Sequence, residues 1–185
     1  MPSAIEAIHA LKERLSREQG LPLRAVSVTP VREEELRLLE AALGSVLPKA
    51  YLQFITRHGL FVATDSSGHE RARMLSPAEV LEQHAGYQEF LEEDSFGEEE
   101  DEREAALREL EVRRRLIPFQ YIADSFVHDF YSFDTGWRRD EGALILKAYH
   151  DDYDLAPWLL DDAPDTSGCT FDFDAHLNQV LRELL

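Results

Sequence analysis

Residues 116–149, LIPFQYIADSFVHDFYSFDTGWRRDEGALILKAY, contain three short apolar segments at 116–122, 126–133 and 143–149. β-branched and aromatic side chains dominate each one, as expected of half-buried strands. Asp134-Thr135-Gly136 and Asp140-Glu141-Gly142 supply turn chemistry between them. Parallel neighbours would need crossovers of a dozen residues or more, so these short links predict an antiparallel meander.

Upstream of the meander the pattern changes to helix. Residues 92–115 carry the acidic run 98–102 and then the basic cluster Arg113, Arg114 and Arg115. Glu99 with Arg103, Glu104 with Arg108, Glu109 with Arg113 and Glu111 with Arg115 stand at i, i+4 in the favourable Glu-first order. These pairs predict an exposed, self-supporting helix whose charges also suit its dipole. Before it, 60–63 and 71–75 read as strands around the turn residues 65–68, and Ser76-Pro77-Ala78-Glu79 is a helix-opening capping box. After the meander, Leu177, Val180, Leu181 and Leu184 make one stripe of a helix beginning near Asp174.

The N-terminal third adds more helices. Ser3 and Glu6 form a capping pair before Ile5, Ile8, Leu11 and Leu15, which predicts a helix over 1–19. A second helix is expected from Thr29-Pro30 to Gly44, and a third from Leu47-Pro48 to His58-Gly59 with Tyr51, Leu52, Phe54 and Ile55 on its apolar face. The fold class is therefore α+β, one domain with an antiparallel sheet flanked by helices. Its expected organisation is an N-terminal helix and linker at 1–28, then the main domain at 29–185 with a charged helical insertion at about 76–115.

With 185 residues, 44% of them apolar, the chain can bury one real core. Nineteen basic residues against thirty-seven acidic ones give a net charge of −18, which would repel phosphates and excludes a broad nucleic-acid interface. Residues 116–174 hold three basic and thirteen acidic residues, a balance of −10. Cys169 is the only cysteine, so neither an internal disulfide nor a cysteine-built metal centre is expected. Met1-Pro2-Ser3-Ala4 leads straight into a charged amphipathic stretch, and unbroken apolar runs do not exceed four residues. A secretion signal or membrane span needs far more, so a soluble cytoplasmic protein without membrane contact is expected.

No glycine-rich phosphate loop, nucleophile elbow, His-Glu-x-x-His or calcium-loop spacing occurs, and no two of the seven histidines stand at i, i+4. Asp161, Asp162 and Asp165 would oppose a reactive Cys169 thiolate. No catalytic residue, metal ligand or cofactor is assigned, and the chain reads as non-enzymatic. The acidic residues read instead as an electrostatic face for a protein partner, with Asp124, Asp129, Asp151, Asp152, Asp154, Asp161 and Asp162 as its contributors and Trp137 or Trp158 as anchors.

The order of residues over 33–59 resembles the opening of the SUKH superfamily. It runs from an acidic helix start through Leu36, Glu40 and Leu43-Gly44 to Leu47-Pro48, Tyr51, Phe54-Ile55 and Gly59. Later segments are similar in the same order: Ile117-Pro118-Phe119, Tyr131-Ser132-Phe133-Asp134, His150-Asp151-Asp152 and the closing helix over 171–185. His58-Gly59 stands where the family commonly has Asn-Gly, and Ala123-Asp124-Ser125 where it has a glycine-containing turn, which implies a longer or reshaped hairpin tip. The superfamily includes yeast cell-wall-assembly regulators and many bacterial immunity proteins. The resemblance implies an inhibitor that neutralises a cognate toxin domain by occlusion, a basic nuclease-like toxin given the charge. The alternative it implies is an intracellular regulatory or scaffold protein.

Overall fold

The meander expected over 116–149 is present, and it is the second half of a larger one. The computed structural model describes residues 3–94, 100–124, 127–148, 166 and 169–185. Strands β1 (Leu23–Thr29), β2 (Leu60–Asp65), β3 (Glu70–Met74), β4 (Leu116–Asp124), β5 (Val127–Arg139) and β6 (Gly142–Ala148) lie in chain order, each antiparallel to the next. The helices are α1 (Ala4–Arg17), α2 (Glu33–Leu43), α3 (Lys49–Arg57), α4 (Pro77–Asp94), α5 (Glu100–Arg115) and α6 (Phe173–Glu183). The fold is a single α+β domain. No helix among the described residues is long and apolar enough to cross a membrane.

Local signals set the helix starts. The Ser3 N–H donates to Glu6 Oε2 at 2.7 Å at the start of α1. At α4 the exchange is reciprocal, with Ser76 N–H to Glu79 Oε2 at 2.8 Å and Glu79 N–H to Ser76 Oγ at 3.3 Å. Asp172 caps α6 by accepting from the N–H groups of Asp174 and Ala175. Asp174 in turn accepts the Ala4 N–H at 2.9 Å, tying the start of α1 to the start of α6.

Four expectations are corrected. The stretch 20–28, read as linker, contains most of β1, which pairs with β2 from Leu23↔Asp65 to Thr29↔Leu60. Thr29 consequently ends a strand rather than capping a helix, and α2 starts after Arg32. Asp134-Thr135-Gly136 is not a turn: it lies within the thirteen-residue β5, where the register slips between Asp134 and Arg138. The Asp134 carboxylate accepts the Gly136 N–H at 2.8 Å, so the irregular backbone is satisfied without reversing the chain. Finally, α5 is not wholly solvated, because Leu110 and Val112 are buried. Of its expected ion pairs, Arg108 with Glu104 forms at 2.6 Å, Glu99 lies outside the described residues, and Arg115 binds Asp134.

The main core fills one face of the sheet beneath α1, α3 and α6. Leu47, Tyr51, Phe54 and Ile55 are buried, as their spacing predicts. The Tyr51 ring meets Phe119, Phe133 and Phe173 edge-on at centroid distances of 5.7, 5.2 and 5.6 Å. A smaller cluster of Val112, Leu116, Leu144 and Leu146 forms apart from it where α5 meets the β4–β6 half of the sheet. Gly59 links α3 to β2 at φ +97°, and a Cβ there would fall 2.2 Å from the Thr29 carbonyl oxygen.

Tyr51→Ala is expected to cost about 3–5 kcal/mol by denaturant unfolding, as a large-to-small change in a filled core. Tyr51→Phe separates packing from polarity. The buried hydroxyl has no hydrogen-bond partner among the described residues, so that variant should match or exceed the native midpoint.

Candidate functional site

The acidic residues read from the sequence are only partly placed. Asp124 and Asp129 lie at the free end of the β4–β5 hairpin, with backbone partners Asp124↔Val127 and Ile122↔Asp129. Asp151, Asp152, Asp154, Asp161, Asp162 and Trp158 lie outside the described residues, as does the hairpin tip at 125–126. Trp137 is half-buried against the cluster beneath α5.

Next to Asp124 and Asp129 the sheet carries a group that sequence reading missed. Register aligns Val62, Arg73, Tyr121 and Phe130 in one row across β2 to β5. This row lies on the face opposite the main core, since the alternating residues Ala63 and Ala72 are fully buried in that core. Arg73 grips Glu79 with two nitrogens, Nη1 to Oε2 at 2.9 Å and Nη2 to Oε1 at 2.8 Å, and its Nε lies 3.0 Å from Glu70 Oε2. The guanidinium carbon stands 5.7 Å from the Tyr121 ring centroid, and the Phe130 ring lies 6.1 Å beyond. Burial pushes the Glu79 carboxyl up, but Arg73 and Ser76 more than offset it and hold the group below its ordinary value. Glu70, Arg73, Glu79, Tyr121 and Phe130, with Leu75 and Gln83, line an open cavity of about 460 Å³. The signal available in the sequence was the alternation of β3, which places Arg71 and Arg73 opposite the core residues Ala72 and Met74.

A second ionic site lies under α5. Asp134 is fully buried, and Arg115, 22% exposed, donates to it through Nε at 3.2 Å and Nη2 at 3.1 Å. This carboxylate joins α5 to β5 and is withdrawn from any acidic surface. A third polar group sits inside the main core. A bulge between Pro118 and Gln120 turns Phe119 toward the Phe173 ring while Gln120 reaches His176, whose Nε2 lies 2.8 Å from Gln120 Oε1. The Tyr131 ring covers the imidazole at 4.4 Å. Burial pushes His176 down to about 3, so it is neutral at physiological pH.

A groove of about 590 Å³ separates the start of α3 from the β5–β6 turn and the approach to α6. Lys49 and Glu141 form an ion pair across it, Arg139 stacks on Phe171 at 4.5 Å, and Cys169 is half-buried in its wall. Among the described residues, no three His, Cys, Asp or Glu side chains gather as metal ligands would. The described surface sets the Glu70 and Glu79 carboxylates beside the half-buried rings of Tyr121 and Phe130. No family model matches the chain, and no curated protein matches it.

Two outcomes test the buried polar groups. Asp134→Ala removes the buried carboxylate that takes two Arg115 nitrogens and the Gly136 N–H, and should lower the unfolding free energy by about 2–4 kcal/mol. For His176 the folded value lies below the unfolded one of about 6.5, so its contribution is complete above pH 6.5 and is lost as pH falls toward 3. His176→Gln keeps a donor for Gln120, and its denaturation midpoint should change less between pH 7 and pH 4 than that of the native protein.

Proposed function

We propose that this chain is a non-enzymatic protein-binding domain of the immunity type, which neutralises a basic, nuclease-like toxin by covering its working surface. The charge distribution carries this reading: residues 116–174 hold a balance of −10 within a chain of net charge −18. A field of that sign draws a basic partner in and repels acidic competitors. Nuclease surfaces are basic because they bind phosphates. The ordered resemblance to SUKH sequences supports the same reading, and the α+β architecture with an antiparallel sheet is compatible with it. A fold can host unrelated functions, so the weight rests on the charge rather than on the architecture.

The test begins with recovery of a partner from native cells by affinity capture and mass spectrometry. A basic protein with nuclease activity that the chain inhibits one to one is the expected result. Association should slow several-fold as salt rises from 50 to 500 mM, because screening shortens the range of the field. Replacing Asp151, Asp152 and Asp154 together by Asn should lower the association rate and leave the circular dichroism spectrum unchanged. An inhibited partner whose association ignores both salt and these substitutions would overturn the electrostatic mechanism. An acidic partner carrying no toxic activity would favour the regulatory reading instead.

A further inference from the structure

The cavity between the first turns of α4 and the face of β3–β5 turned away from the main core has a chemistry of its own. We propose that it seats an arginine side chain of the basic protein partner, an inference that rests on the function proposed above and names a contact within it. Three observations converge on a guanidinium rather than an anion or an apolar group.

The first is charge. Two carboxylates, Glu70 and Glu79, face a single guanidinium from Arg73, which leaves one negative charge over. Glu79 is committed at both oxygens to Arg73, and Oε2 also accepts the Ser76 N–H. Glu70 meets Arg73 through Oε2 and remains 48% exposed, so its carboxylate keeps acceptor capacity toward the cavity. An anion entering here would meet the excess negative charge.

The second observation is the ring pair. Tyr121 and Phe130, both half-buried, sit 6.1 Å apart with their planes tilted by 59°. The protein already places one guanidinium, that of Arg73, over the Tyr121 ring between carboxylates. That internal arginine shows which group this surface holds. One strand beyond Tyr121 the Phe130 ring offers a second aromatic face, and Glu70, on the same strand as Arg73, lines the same cavity with an acceptor.

The third is position and size. About 460 Å³ of open volume exceeds what a guanidinium with its methylene stem needs. Phe130 is the chain neighbour of Asp129, and Tyr121 lies three residues before Asp124. Only Tyr121 and Phe130 of its lining come from the acidic stretch 116–174, while Glu70 and Glu79 come from β3 and α4, so the pull on a cation rests on the cavity's own carboxylates. Arginine against tyrosine in a partly desolvated pocket is a recurring anchor of protein interfaces.

The test uses the full chain and three capped tripeptides, Gly-Arg-Gly, Gly-Lys-Gly and Gly-Glu-Gly, with the aromatic NMR signals of Tyr121 and Phe130 as readout. The arginine peptide should shift both rings saturably, the lysine peptide should bind more weakly, and the glutamate peptide should leave them unmoved. Tyr121→Leu, followed through Phe130, and Glu70→Gln should each weaken the arginine peptide by about threefold or more, given the usual strength of such contacts. Unchanged melting temperatures would show that the fold persists in both. Failure of the arginine peptide to saturate, or equal affinity in both variants, overturns the proposal. If the Asp151, Asp152 and Asp154 substitutions abolish peptide binding and Tyr121→Leu does not, the cavity is wrong while the acidic face stands. A peptide that binds in the cavity of a chain to which no basic protein associates sinks the proposed function and leaves the arginine seat in place.

Discussion

The fold depends on closure of one aromatic knot. Tyr51 from α3, Phe119 from β4, Phe133 from β5 and Phe173 at the start of α6 are all buried, and the two strand rings stack at 3.9 Å. None of the four has enough local company to be buried by its own element. Tyr51 and Phe173 are separated by most of the chain, so the contact that orders the core is also among those whose loop closure costs the most entropy. The polar cluster of His176, Gln120 and Tyr131 lies beside this knot and shares its elements. Its geometry is a consequence of the aromatic packing, and its imidazole remains neutral because the rings exclude water.

Features with local causes were legible in the sequence. The capping pairs at Ser3 and Ser76, the apolar face of α3 and the antiparallel order of the last three strands each follow from residues within a turn or two of one another. What escaped had distant causes. The segment Leu23–Thr29 mixes exposed and buried positions without clear alternation, and it becomes a strand because β2 is there to pair with it. Asp134-Thr135-Gly136 has turn composition, yet Arg115 holds Asp134 inside and the backbone bulges instead. The buried Leu110 and Val112 of α5 were masked by the charges around them. At the candidate site, composition alone revealed the acidity, whereas the alignment of Arg73 with Tyr121 and Phe130 required the register of three strands.

The two faces of the sheet do different work. The face under α1, α3 and α6 is apolar and filled. The opposite face is divided: α5 packs on the β4–β6 half and seals it with a small apolar cluster and the Arg115–Asp134 pair, while toward β1 it carries the exposed residues Ala25, Ser27 and Arg71. Arg73, Tyr121 and Phe130 stand at the border between these halves. A sheet that is packed on one side and partly open on the other presents a rigid platform whose side chains are positioned by backbone register.

The late arrival of α6 has a consequence for synthesis. Phe173, Leu177, Val180 and Leu181 complete the main core, yet they follow Tyr51 by about 120 residues. At ordinary elongation rates of about 5–20 residues per second, that interval lasts from several seconds to nearly half a minute. In its last stretch, the 25 residues from Ala148 at the end of β6 to Phe173, which take about 1–5 s, the nascent sheet has its strands but not its lid, and the rings of Tyr51, Phe119 and Phe133 have an unfilled side. Such a species is sticky, and ribosome-associated chaperones are its natural custodians. Expression yield should therefore respond to chaperone supply and to growth temperature more steeply than the stability of the finished domain would suggest.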